Sequence, residues 1–120
     1  QKHLKMDRPP RTIECYDISN FQGSLAVGSM VTFEDGKPAK GRYRKFRIQT
    51  VVGADDFRCM AEVLERRLRR DSKNADLPDL IIVDGGKGQL GVAVKMLAKL
   101  GISDVAIIGL ATALVMPRRR

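Results

Sequence analysis

The 120-residue sequence predicts an α/β fold: a mixed sheet, three antiparallel strands followed by parallel strands, with helices packed on it. Three observations lead there. The segment from Thr12 to Ile18 alternates in the two-residue period of a strand, and two further strand-like segments follow, joined through an Asp-Gly step. From Phe57 onward the apolar residues recur at helical spacing. The short apolar run Leu80-Ile81-Ile82-Val83 then stands between two helical patterns, as a strand reached through a crossover does.

Taken in order, residues 1–10 are polar and close on Pro9-Pro10, which lack amide donors and suit a lead-in segment. The first strand begins after them. Alternation places Ile13, Cys15 and Asp17 on one face and Thr12, Glu14 and Tyr16 on the other, so Asp17 is expected on the apolar, inward-packing face. Strands at Leu25 to Phe33 and Arg42 to Thr50 flank the turn Glu34-Asp35-Gly36-Lys37-Pro38 and complete an antiparallel meander. Phe57, Met60, Ala61, Leu64 and Leu68 make one face of a helix that starts at the acids Asp55 and Asp56. Its outer surface carries Glu62 with Arg66 and Glu65 with Arg69, each four residues apart.

A polar linker, Asp71 to Pro78, leads to the strand Leu80 to Val83, expected to be buried on both faces and parallel to its neighbour. It ends at Asp84-Gly85-Gly86. A second helix presents Leu90, Ala93, Val94 and Leu97 and stops at Gly101, and a last strand runs from Val105 to Ile108. The order β-β-β-α-β-α-β is the layout of ribonuclease H-like folds, in which the first and fourth strands are neighbours. No internal repeat occurs, and the only biased segment is Arg118-Arg119-Arg120.

Composition narrows the function classes. With 43% hydrophobic and 30% charged residues the chain has the balance of a globular domain, which argues against a disordered or fibrous protein. The formal charge of +8 attracts polyanions such as nucleic acid. Cys15 and Cys59 are isolated, belong to no metal-binding pair, and read as buried free thiols of a reducing, cytoplasmic setting. No long apolar run predicts a membrane span, and nothing calls for an obligate assembly, so a monomer is expected.

The candidates for chemistry are carboxylates. Asp17 lies near the end of the first strand and Asp84 ends the fourth; if those strands are neighbours, the two acids converge at one sheet edge. Such a pair repels unless a cation lies between them, and Mg²⁺ is commonly held by one or two carboxylates together with substrate phosphate. A metal there activates water and offsets charge on a phosphodiester under attack. Simpler readings stand beside this one: Asp84 before Gly-Gly as a turn residue or helix cap, and Asp55 and Asp56 as helix-start acids. Gly85-Gly86-Lys87-Gly88-Gln89 fails the nucleotide-binding loop pattern, because Lys87 is followed by Gly; a contact from Lys87 and backbone amides to a DNA phosphate fits better. Arg42, Arg44, Lys45 and Arg47, interleaved with Tyr43 and Phe46, suit a phosphate backbone or simply a solvated sheet face. His3, the only histidine, reads as a surface residue.

Four stretches in order, Arg11 to Asn20, Tyr43-Arg44-Lys45-Phe46, Gly53-Ala54-Asp55-Asp56-Phe57 and Leu77 to Leu90, together resemble the C-terminal, ribonuclease H-like endonuclease domain of the UvrC excision-repair nucleases. The resemblance covers roughly residues 8 to 111. It implies a domain that uses Mg²⁺ or Mn²⁺ and incises damaged double-stranded DNA 5′ to a lesion, after UvrB, with UvrA upstream, has marked the damage. It also implies catalytic roles for Asp17, Asp84 and Asp56, the first two as metal ligands. The family's catalytic histidine lies beyond the fifth strand, and no histidine follows His3 here. After Ala111 the sequence departs from the family pattern. The expected organisation is therefore a lead-in at 1–10, a partial endonuclease domain at 11–111 and a divergent or frame-shifted tail at 112–120. The rival expectation is a catalytically inactive, truncated remnant that binds DNA or a repair partner through its basic face.

Overall fold

The alternating first segment forms strand β1 (Thr12–Phe21), which pairs antiparallel with β2 (Leu25–Glu34) in the computed structural model. The structure describes residues 9–21, 25–48, 56–71, 77–85, 87–110 and 114–116. After β2 the chain reverses at Asp35 (φ 52°) and Gly36 (φ 80°), two consecutive positive angles that a type I′ hairpin requires. The expected third strand is broken. Residues Lys37–Pro38 form a two-residue β3 on β2, a 3₁₀ turn intervenes at Lys40–Arg42, and β4 (Arg44–Arg47) rejoins the same edge of β2.

Helix α1 (Asp56–Asp71) leads to β5 (Leu80–Val83), and α2 (Lys87–Lys99) leads to β6 (Ala106–Gly109). Gly101, at φ 73°, takes the left-handed angle just past the end of α2, as the sequence anticipated. The last expected strand lies one residue later than read. A further strand, β7 (Leu114–Met116), pairs antiparallel with β6 inside the segment read as a tail. The sheet order is β3-β2-β1-β5-β6-β7 with β4 also on β2, so the first strand and the strand ending at Asp84 are parallel neighbours.

Both helices contribute to one core. Met60, Val63, Leu64 and Leu68 of α1 and Leu90, Ala93 and Leu97 of α2 meet Tyr16, Met30, Ile81, Val83 and Ile107 of the sheet. Packing of α1 on β2 is close enough that a Cβ on Gly28 would lie 2.3 Å from Val63 Cγ2. The ion pairs Glu62–Arg66 and Glu65–Arg69 form as the spacing predicted, but Glu62, expected on the outer surface, is buried. Neither cysteine forms a disulfide; Cys59 is buried as expected, whereas Cys15 is only half-buried. Phe57, expected on the buried helix face, is instead 53% exposed, with its ring tip against Gly88 of α2 rather than in the core.

The inward face of β1 is the reverse of the one expected. Glu14 and Tyr16 are turned into the core, Ile13 and Cys15 are half-buried on the opposite side, and Asp17 is exposed there. A carboxylate can occupy the buried face because Arg67 reaches it from α1. Arg67 Nη2 donates to Glu14 Oε2 at 2.7 Å, and Tyr16 Oη donates to Glu14 Oε1 at 2.5 Å. All three are closed to solvent, at 2%, 0% and 1% exposure for Arg67, Glu14 and Tyr16. Both carboxylate oxygens thus have a donor and the charge has a counter-ion, the conditions under which burial of an ion pair is tolerated.

Two stability predictions follow from this network. Arg67→Met leaves the Glu14 carboxylate buried without its partner and is expected to cost about 3–5 kcal/mol in urea unfolding, whereas Glu14→Leu/Arg67→Met together should recover most of that loss. A double variant no more stable than Arg67→Met would contradict the assignment. Burial, and then the Glu14 carboxylate, push the Tyr16 hydroxyl well above its ordinary value of 10.0 and raise the Cys15 thiol above 9.0. The fold therefore favours the neutral form of both groups. The resulting stability is fully present below their ordinary values and lost as pH rises through the raised ones. Urea midpoints measured against pH should decline above roughly pH 9–10, and the decline should be smaller in Tyr16→Phe.

Candidate active site

Parallel pairing of β1 with β5 runs in register from Ile13↔Leu80 to Tyr16↔Val83. The next residue on each strand is an acid. The Asp84 amide donates to the Tyr16 carbonyl at 3.0 Å, which carries the ladder one step past its last pair and sets Asp84 beside Asp17. Tyr16 and Val83 are both buried on the helix-covered side, and Asp17 and Asp84, one residue on, are both exposed. Neighbouring strands lie about 4.8 Å apart, so the two acids are separated by about one strand spacing.

The antiparallel side of β1 extends this row. Asp17 pairs with Ser29 on β2, and Ser29 pairs with Lys45 on β4. Side chains directly opposite one another in a ladder share a face, so Lys45, Ser29 and Asp17 form one row across three strands, with Asp84 at its end. The cations of the β4 region divide accordingly. Lys45 and Arg47 are exposed on the same side as Asp17, while Phe46 between them is buried in the core. Arg44 is on the helix side, with its guanidinium 4.6 Å from the Phe46 ring centroid. Arg42 lies outside the strand and pairs with Glu34 at 2.7 Å.

This division depends on the break in the third strand. A continuous ladder from Phe33↔Pro38 would place Gly41 opposite Met30, but Arg44 stands there. Three extra residues have been inserted, and an odd insertion exchanges the two faces. Phe46 thereby enters the core and Lys45 joins the row of Asp17. Pro38, which cannot donate to a ladder, and the 3₁₀ turn at Lys40–Arg42 mark the break in sequence, but its length is visible only in the pairing.

Both helices begin at the same end of the sheet. Asp56 is the first residue of α1 and Lys87 the first of α2, although neither side chain belongs to the described part of the structure. Phe57 lies against Gly88, so close that a Cβ on Gly88 would be 2.2 Å from the ring, and this contact joins the two helix starts. Unsatisfied amides give helix N-termini a positive potential, which favours anions at this edge. Asp55, Gly86 and His3 lie outside the described residues. Among the described residues no three His, Cys, Asp or Glu side chains come together to hold a metal. No described helix is long and apolar enough to cross a membrane.

Residues 1–117 match the family model described as the UvrC RNase H endonuclease domain. The chain is 53% identical over 117 residues to UvrABC system protein C of Dehalococcoides mccartyi (strain ATCC BAA-2100), covering 92% of this chain and 19% of that protein. It is 56% identical over 110 residues to the protein of the same name from Syntrophus aciditrophicus, covering 92% of this chain and 17% of that one. It therefore spans less than a fifth of the length of these relatives. The fold is shared with Ciona intestinalis endonuclease V solved in complex with an inosine-containing 23mer DNA, at a TM-score of 0.59 and 17% identity over 83% of this chain and 45% of that one. With a sequence match that runs through both Asp17 and Asp84 and a sheet of ribonuclease H-like order, the chain belongs to the UvrC RNase H endonuclease domain family.

Proposed function

We propose that the domain hydrolyses a phosphodiester of damaged duplex DNA, making the incision 5′ to a lesion within a UvrA- and UvrB-dependent repair reaction. The observation that carries this reading is the juxtaposition of Asp17, within β1, and Asp84, just past the end of β5, on two parallel neighbouring strands. Two exposed carboxylates one strand apart offer hard oxygen ligands and repel each other without a cation. That donor set fits Mg²⁺ or Mn²⁺, which needs one or two protein carboxylates and completes its shell with water and phosphate. Asp17 and Asp84 are the residues to hold the ion, and bound there it supplies charge neutralisation at the phosphate and acidification of water.

The remaining residues bind and orient DNA. Lys45 and Arg47, exposed on the side of Asp17, are placed to take backbone phosphates leading toward the acids. Lys87, at the start of α2, stands where helix amides also favour a phosphate. Arg42 and Arg44 were further candidates from sequence; their partners Glu34 and Phe46 give them a structural task as well. Asp56, as the first residue of α1, is assigned to the same end as a third acid. DNA binding without hydrolysis is a second reading, favoured by the exposure of Lys45 and Arg47 on the side of Asp17.

Separate measurements distinguish the two. Mn²⁺ binding by the purified chain, followed by electron paramagnetic resonance, and Mg²⁺-dependent nicking of irradiated plasmid should both be lost in Asp17→Asn and in Asp84→Asn. DNA binding should survive in both variants. Retained metal binding in the double variant would overturn the ligand assignment, and unchanged DNA binding with no nicking by the parent chain would establish the second reading. For the phosphate contacts, Lys45→Ala and Arg47→Ala should each lower the slope of log affinity against log salt by about 0.9. Arg42→Ala should leave the slope nearly unchanged, and equal slopes for all three variants would contradict the division of the two faces.

A further inference from the structure

Phe57 combines exposure with a fixed seat. It belongs to the first turn of α1, is 53% exposed, and one side of its ring rests on Gly88 in the first turn of α2. A Cβ on Gly88 would approach three ring carbons at 2.2, 2.7 and 3.0 Å, so the glycine is what admits the ring. The aromatic side chain thus meets the start of α2 at Gly88, four residues along the chain from Asp84. The exposed Arg58 follows it in the chain, and the first-turn amides of both helices lie at the same place.

We propose that Phe57 is a stacking platform for one unpaired nucleobase of the DNA strand that passes Asp17 and Asp84. The proposal rests on the DNA-processing reading above and adds to it a preference for strands with a base out of the helix. Physical chemistry favours a base as the occupant. A half-exposed aromatic ring beside Arg58 and helix-terminal amide donors matches a ligand that is flat, apolar on its faces and attached to an anionic backbone. A ring seated on backbone also loses little conformational freedom when a base stacks on it. Base–aromatic stacking does not depend on base identity, so Phe57 contributes affinity for a disrupted strand without a sequence requirement.

The test uses a short single strand carrying 2-aminopurine, titrated with the chain in the presence of EDTA so that hydrolysis plays no part. Binding by the parent chain should quench the probe by stacking, and Phe57→Trp should retain the quench. Phe57→Ala should lose it and bind roughly fivefold to a hundredfold more weakly, the range spanned by loss of one base–aromatic stack. Gly88→Ala supplies a variant that keeps the ring but takes away its seat. Because alanine favours a helix over glycine, this variant should fold at least as well as the parent, yet it should lose the quench. A parent chain that does not quench the probe, or a Phe57→Ala variant that quenches and binds like the parent, would overturn the proposal. Asp17→Asn/Asp84→Asn should quench normally, so failure of the hydrolytic reading and failure of the stacking platform give different results.

Discussion

The fold depends on one buried contact, the bond of Arg67 to Glu14 with Tyr16 closing the other carboxylate oxygen. It joins the middle of α1 to the strand that carries Asp17. Without Arg67 the carboxylate could not remain in the core, and β1 would have reason to turn its other face inward. With it, β1 has one orientation, α1 has one axial position on the sheet, and Asp17 is directed to the solvent side. Charge pairing in the interior therefore decides which side of the sheet carries the exposed acids, and hydrophobic packing alone would have favoured the opposite arrangement.

A second constraint acts on the same choice from the other edge of the sheet. The insertion between β3 and β4 exchanges the faces of β4, so that Phe46 fills the core and Lys45 extends the row through Ser29 to Asp17. Arg66 from α1 secures this edge by donating to the Arg47 carbonyl at 2.7 Å and lying 5.4 Å from the Phe46 ring centroid. One helix thus fastens both strands that frame the row, β1 through Arg67 and β4 through Arg66. Consecutive arginines on a helix point in different directions, which lets a single turn of α1 serve both.

The two helices also share an end. α2 starts just past the end of β5, and the Phe57–Gly88 contact brings the start of α1 to the same place. Partial positive charge from helix amides, the acids Asp17 and Asp84 and cations on β4 then occupy one edge of the molecule. An edge of that kind suits a phosphate backbone with a cation beside it, and membership of the UvrC RNase H endonuclease domain family is consistent with such a substrate.

Much was legible in the residues themselves. Period-two alternation located β1, helical spacing α1 and α2, and a short unbroken apolar run β5, because local patterning follows from which side chains must be buried. Asp35-Gly36 announced the hairpin because few residues accept two positive φ angles in succession. The four family stretches pointed to the endonuclease domain, and the acids Asp17 and Asp84 were singled out, although β1 runs on to Phe21 and leaves Asp17 inside the strand rather than near its end. Tertiary structure alone decided the rest. Which face of β1 is buried depends on Arg67, a residue 53 positions away from Glu14, and no local pattern encodes such a partner. Which cations accompany Asp17 depends on the number of residues inserted before β4, and the pairing of β7 with β6 is visible only in the folded sheet. Burial and pairing at long range choose between alternatives that short-range alternation leaves equivalent.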